Sequence, residues 1–158
     1  MFVITQGPVA KTEMMIRRPI GEVFQAFIDP AVTTRFWFTD SSGKLKTGQR
    51  VRWDWRMYGA SVNVDVKEIE ENKRIVIEWA AHGEPTMVEW VFTPRSDAET
   101  HVTITNSGFK GDGDAVVRQA LDSMGGFSLV LSGCKALLEH GIALNLIADK
   151  APYAHVKH

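Results

Sequence analysis

Cysteine is nearly absent from this chain: Cys134 is the one thiol among 158 residues. An internal disulfide is thereby excluded, and so is a cysteine-built metal cluster. No apolar run approaches the roughly 20 residues needed to cross a bilayer. Charge of one sign is not in excess either, because 18 Lys and Arg face 19 Asp and Glu, for a formal net charge of -1. Such a balance gives no general pull toward nucleic acid or an anionic membrane surface. The first residues carry no basic stretch leading into an apolar segment. A cytoplasmic protein without stable membrane insertion is therefore expected. His82, His101, His140, His155 and His158 are scattered without metal-ligand spacing, so no metal is expected, nor any other cofactor.

What is present is an ordinary apolar share of 44% and a clear change of period along the chain. The length suits one domain over residues 1–158, with a core at about 11–141 and a tail at 142–158. Residues 11–17 read as a first strand. Pro19 opens a short helix over residues 20–29, with Val23, Phe24, Phe27 and Ile28 on one stripe, and Pro30 breaks it. A second short helix is expected over residues 31–35, ahead of the aromatic knot Phe36-Trp37-Phe38.

From Gln49 onward the period becomes two. Trp53 and Trp55 alternate with charged residues, and strands follow over residues 60–70, 74–81, 86–93 and 100–106. Short polar turns between them argue an antiparallel meander, hence an α+β fold. Asp112 or Asp114 is placed to cap a long helix over residues 115–140. Its apolar stripe is drawn through Val117, Ala120, Leu121, Met124, Phe127, Leu131, Cys134 and Leu138. Gly125-Gly126 inside it should cost about 1 kcal/mol each relative to alanine, which suggests close packing against another backbone, or a bend. Gly141 ends the helix.

Four phrases carry a family resemblance. They are Pro19 through Pro30 with the following Trp37, Ile75 through Trp79, Glu89 through Pro94 with Asn106-Ser107-Gly108-Phe109, and Gly126-Phe127 with Leu137 through Gly141. Together they resemble the START-like (SRPBCC) superfamily, in its branch of homologues of the activator of the heat-shock-protein-90 ATPase. Phe127 stands where that branch usually has tryptophan. The resemblance implies a helix-grip fold, in which a curved antiparallel sheet wraps a long C-terminal helix with an apolar cavity between them. It implies no reaction, since fold alone supplies none.

Aromatic side chains on a concave sheet can wall a ligand site or simply fill the core. The candidate walls are Phe24, Phe27, Trp37, Trp53, Trp79, Trp90 and Phe92 from the lid and sheet, with Met124, Phe127 and Leu131 from the helix. Trp53 and Trp55 share a face, so both point inward or both outward. Asn106, where the last strand meets a glycine loop, is a candidate for hydrogen bonding a ligand or for capping that loop. Asp54, Glu78 and Glu89 alternate with apolar neighbours and are expected on the solvated face, and Cys134 is expected to be a buried structural thiol.

The reading is binding of a hydrophobic or aromatic small molecule, of lipid or polyketide-like type, without established catalysis. A chaperone-associated interaction protein, with the tail as its contact surface, or a homodimer contact, is an alternative. So is a cyclase- or hydrolase-like enzyme drawing on Arg35, Asp54, Glu89 or Asn106.

Overall fold

A computed structural model describes residues 7–152. One sheet of seven antiparallel strands organises them: β1 (Ala10–Ile16), β2 (Asp40–Ser41), β3 (Arg50–Trp55), β4 (Ala60–Glu70), β5 (Arg74–His82), β6 (Glu84–Ser96) and β7 (Glu99–Ser107). In space the order is β1-β7-β6-β5-β4-β3-β2. Only β1 leaves sequence order, and it pairs with β7 from Ala10↔Asn106 to Ile16↔Thr100. The helices are α1 (Ile20–Ile28), α2 (Pro30–Thr33), α3 (Gly113–His140) and α4 (Leu146–Lys150). This is the curved, helix-gripping sheet that the resemblance implies.

Local chemistry sets the boundaries. Pro19 stands at the N-cap of α1. Asp29 ends α1 and caps α2 by accepting from the Ala31 N–H at 3.0 Å. Pro30 then occupies the first turn of α2, where its missing N–H costs nothing, so it opens a second helix as well as breaking the first. Asp112 caps α3 through the Ala115 N–H at 2.8 Å, and Gly141 closes it in the left-handed region at φ 66°.

Alternation along the strands fills the concave face. Trp53, Val64, Ile75, Ile77, Val88, Trp90, Val102 and Ile104 are all buried. Their charged neighbours pair outside, as in Arg50 with Asp65 at 2.8 Å and Arg52 with Asp54 at 2.9 Å. Arg74 joins Glu68 at 2.6 Å and also bonds Glu89.

Three departures from the expected pattern occur around β5 and β6. The fifth and sixth strands turn on Gly83 alone, at φ 96°, with His82 opposite Glu84, so β6 begins two residues earlier than expected. Pro94 lies inside β6 opposite Thr100, and the chain turns only after Ser96. The register of β5 also slips between Trp79 and His82, a bulge that throws Ala80 and Ala81 out of the ladder.

The long helix sits one position out of phase with the predicted stripe in its first half. Its buried face runs through Val116, Ala120, Ser123, Phe127, Val130, Leu131, Cys134 and Leu137. Val117, Leu121 and Met124 are exposed instead.

Candidate cavity between sheet and helix

The concave face is not filled from end to end. A cavity of about 550 Å³ lies where β3 passes through a single 3-10 turn (Arg56–Tyr58) into β4 and where β5 approaches its turn into β6. Trp37, Trp79, Ser123, Phe127 and Val130 form its buried inner wall. Trp55, Tyr58 and Val62 are half-buried at the sides, while Ala60, Ser61, Ala80, Ala81, Asp122 and Lys150 form an exposed rim. Both rim alanines of β5 are the residues displaced by its bulge.

Trp37 is the partition between this space and the solid core. Its ring lies 4.8 Å from Trp53 and 6.0 Å from Trp90 on one side, and 6.3 Å from Trp55 on another. It also meets Trp79 at 6.0 Å and Phe127 at 5.6 Å, both edge-on. Such edge-to-face contacts add about 0.5–1.5 kcal/mol each beyond burial, so the partition is held in place by its neighbours.

The tail helix forms one flank. Tyr58 donates its hydroxyl hydrogen to the Ile147 carbonyl oxygen, and Ile147 lines the cavity. Lys150 approaches Asp122 at 3.9 Å, linking α4 to α3 across the rim. Leu146 packs over Gly133, where an added Cβ would stand 3.4 Å from Phe36. Gly133 is thus the glycine of α3 that serves close packing. Gly125 and Gly126 do not, because a Cβ at either would meet nothing within 4 Å. Gly126 lies on the cavity wall, and its missing side chain keeps that space open.

Polar groups at the wall are few and their directions are fixed. Asn106 donates through Nδ2 to Thr86 Oγ1 at 3.0 Å and to the Met87 carbonyl at 2.7 Å. Its Oδ1 therefore faces Ser123, whose hydroxyl must donate across 2.7 Å. With that proton committed, Ser123 can offer the cavity only acceptor lone pairs. Trp79 gives the cavity its ring and not its polar atom. Its indole N–H is buried, and among the described residues it has no hydrogen-bond partner.

The titratable groups with displaced pKa lie elsewhere. Bonds from Ser61 and Arg52 hold Asp54 below the ordinary carboxylate range. Arg50 does the same for Asp65. Burial works to raise Glu139, but bonds from the Arg17 N–H and Lys135 outweigh it and leave the carboxyl lowered. Burial, with a smaller contribution from Glu22, pushes the Cys134 thiol far up.

Of the residues read from sequence as walls, the structure brings Trp37, Trp79 and Phe127 to the cavity. Phe24, Phe27, Trp53, Trp90, Phe92 and Leu131 are packed into the adjoining solid core. There Phe24 meets Phe92 edge-on at 5.2 Å, and Phe38 stacks on Trp53 at 4.5 Å. Met124 is 38% exposed and off the wall, because the helix turns Ser123 inward in its place. Asn106 lies behind the wall, with its amide used up by Thr86, Met87 and Ser123.

Trp53 and Trp55 do point the same way, and that way is inward. Arg35, Asp54 and Glu89 do not line the cavity. His155 and His158 lie outside the described residues. Ser123, Gly126, Val130 and Ile147 were not anticipated as wall residues. The four-residue step from Leu131 to Phe127, repeated once, reaches Ser123, but hydrophobicity drew the stripe to Met124.

A model of the family described as activator of Hsp90 ATPase homolog 1-like protein matches residues 17–139. Among curated proteins no sequence matches. Among solved structures, the Staphylococcus saprophyticus protein SSP2350 is 31% identical with a TM-score of 0.74, over 87% of this chain and 96% of that one. DynU16, from the dynemicin biosynthetic locus, is 21% identical with a TM-score of 0.70, over 85% of this chain and 48% of its own. An Aha1 dimer from Colwellia psychrerythraea is 17% identical with a TM-score of 0.70, over 85% of this chain and 98% of that one. With the sheet, the gripping helix and the matched residues 17–139 in agreement, the chain belongs to the family of activator of Hsp90 ATPase homolog 1-like proteins.

Proposed function

We propose that this protein binds a predominantly apolar, ring-containing small molecule between the sheet and α3. One observation carries the reading: a space of about 550 Å³ framed by Trp37, Trp55, Tyr58, Trp79 and Phe127, with an exposed rim. That volume falls within the roughly 300–1,000 Å³ common for small-molecule sites. Flat aromatic walls favour a flat guest, which makes contact over its whole face. A guest that buries about 250 Å² of apolar surface gains about 6 kcal/mol at 25 cal/mol per Å², before the cost of immobilising it. Micromolar affinity corresponds to about 8 kcal/mol. Polar contacts at Ser123 or at the rim would have to supply the difference.

Entry past α4 fits the same reading, since the contacts that hold this helix against the cavity are few and cross the rim. Catalysis finds less support. The candidate acids and bases Asp54 and Glu89 are tied into ion pairs with Arg52 and Arg74, and neither lines the cavity. Titration of a panel of two- and three-ring compounds, followed by tryptophan emission and thermal stability, tests the proposal. A saturable emission change together with a rise in Tm is expected. A panel that moves neither would refute it.

A further inference from the structure

β1 ends the spatial order of the sheet, so one side of it meets no other strand. Which of its backbone groups point that way follows from the ladder. Phe92 donates its N–H to the Lys73 carbonyl, so the even-numbered residues of β6 bond toward β5 and the odd ones toward β7. The registers Val91↔Thr103 and Met14↔Val102 then leave the even residues of β1 bonding to β7. The N–H and C=O groups of Val9, Lys11, Glu13 and Met15 therefore point off the sheet. Two contacts from α3 agree: Lys135 Nζ donates to the Met15 carbonyl at 2.8 Å, and Glu139 accepts from the Arg17 N–H at 2.9 Å. These cap the far half of the edge. Among the described residues, no hydrogen bond reaches the off-sheet N–H and C=O of Lys11 or Glu13. An open edge of this kind is a template for another strand.

We propose that two copies of this chain join through β1, antiparallel about a dyad at Thr12, to form one continuous sheet. Charge selects that register. The off-sheet groups can bond only if odd residues stand opposite odd ones. Placing Lys11 opposite the partner's Lys11, or Glu13 opposite the partner's Glu13, opposes like charges. With the dyad at Thr12, Lys11 faces the partner's Glu13 and Glu13 faces the partner's Lys11. Val9, 54% exposed in the single chain, then faces the partner's Met15, apolar against apolar. Charged residues commonly guard an edge against pairing, but here the two signs alternate and attract in this one register. Within one chain Lys11 reaches Glu13 at 3.9 Å with both side chains over half exposed, a weak pair that leaves each available to a partner. Glu13 also meets His101 Nε2 at 3.0 Å. Beside the edge, α3 exposes Val117, Leu121 and Met124 on the side that carries Ser128 to Thr12 and Lys135 to Met15. A second subunit on the edge covers part of this stripe, and the contact is self-complementary as a dyad requires. None of these residues lines the cavity.

Sedimentation equilibrium of the full chain should give twice the 17.6 kDa of one copy when concentrated and fall toward one copy on dilution. Glu13→Pro removes an N–H that points off the sheet and sets its ring along the edge. It should abolish the dimer while the chain still unfolds cooperatively. Lys11→Glu alone, or Glu13→Lys alone, opposes like charges on both sides of the dyad and should weaken the dimer about tenfold. The two together restore opposite charges and should return the affinity to within about threefold, a rescue that damage to the fold would not give. Without any variant, amide exchange at Lys11 and Glu13 should slow as concentration rises, while Thr12 and Met14, bonded to β7, stay protected throughout. A single-copy mass up to millimolar concentration overturns the proposal. So does a dimer that Glu13→Pro and both single charge reversals leave intact, since its contact then lies elsewhere.

Discussion

Ser123 shows how much a single hydroxyl does here. It satisfies Asn106 Oδ1 at 2.7 Å and so completes the chain that joins α3 to β6 and β7. Ser123→Ala should leave that buried carbonyl oxygen unpaired and cost about 1–3 kcal/mol, read from the urea midpoint at unchanged slope. An unchanged midpoint would mean that the Asn106 carbonyl finds another donor. Cys134 makes the opposite kind of point. Fully buried and with its thiol pushed far up by burial, it should resist a disulfide-exchange reagent in the native protein and react only on unfolding. Stoichiometric labelling within seconds under native conditions would contradict that placement.

At the scale of elements, the outcome depends on α3 and α4. Gly126 leaves open space at the wall, so Gly126→Leu should project a side chain into the cavity. Replacing a helix-interior glycine also removes a penalty of about 1 kcal/mol. The variant should therefore unfold at higher temperature and bind benzophenone, a two-ring compound, at least tenfold more weakly. A variant that binds as before would show that the guest sits elsewhere. For α4, Tyr58→Phe removes the bond to the Ile147 carbonyl and should speed amide exchange over residues 146–150 while leaving the strands protected. Equal exchange in both proteins would mean that apolar contact alone retains the helix.

These elements also show what was legible beforehand. Period-two alternation exposed every long strand, because each has one wet and one dry face. The bulge at Ala80 and Ala81 was hidden, since nothing in two alanines announces a register slip. The phase of α3 was misread for a physical reason: the residue turned inward, Ser123, is polar, and it is tolerated there only because Asn106 receives its proton. Most aromatic residues were rightly placed on the inner face, but periodicity gives the face and not the depth. Whether Trp53 or Trp79 borders empty space depends on how α3 and α4 lie above them.

The whole molecule is clasped at the end of α3 by Glu139. Its carboxylate accepts from the Arg17 N–H at 2.9 Å and from Lys135 Nζ at 2.6 Å. Lys135 in turn donates to the Met15 carbonyl at 2.8 Å, tying the helix to β1. The native pKa of Glu139 lies below its ordinary value, so its ionisation stabilises the fold above about pH 4.3, the unperturbed glutamate pKa. That contribution drains away as pH falls through the lower native value. Thermal unfolding should show Tm falling as the solution is acidified below this point. Glu139→Gln should lose about 1–3 kcal/mol at pH 7 and show a shallower acid decline. Parallel acid limbs for the two proteins would remove Glu139 from the account.

Five tryptophans divide between the two regions and so provide the most direct test of a cavity with a guest. Trp37, Trp55 and Trp79 border the space, whereas Trp53 and Trp90 stand behind it in the core. Indole proton–nitrogen spectra should be recorded while benzophenone is titrated into the full chain. The three wall signals are expected to shift along saturating curves, with the two core signals following only weakly. Five unmoved signals, or the largest shifts at Trp53 and Trp90, would contradict binding in this cavity.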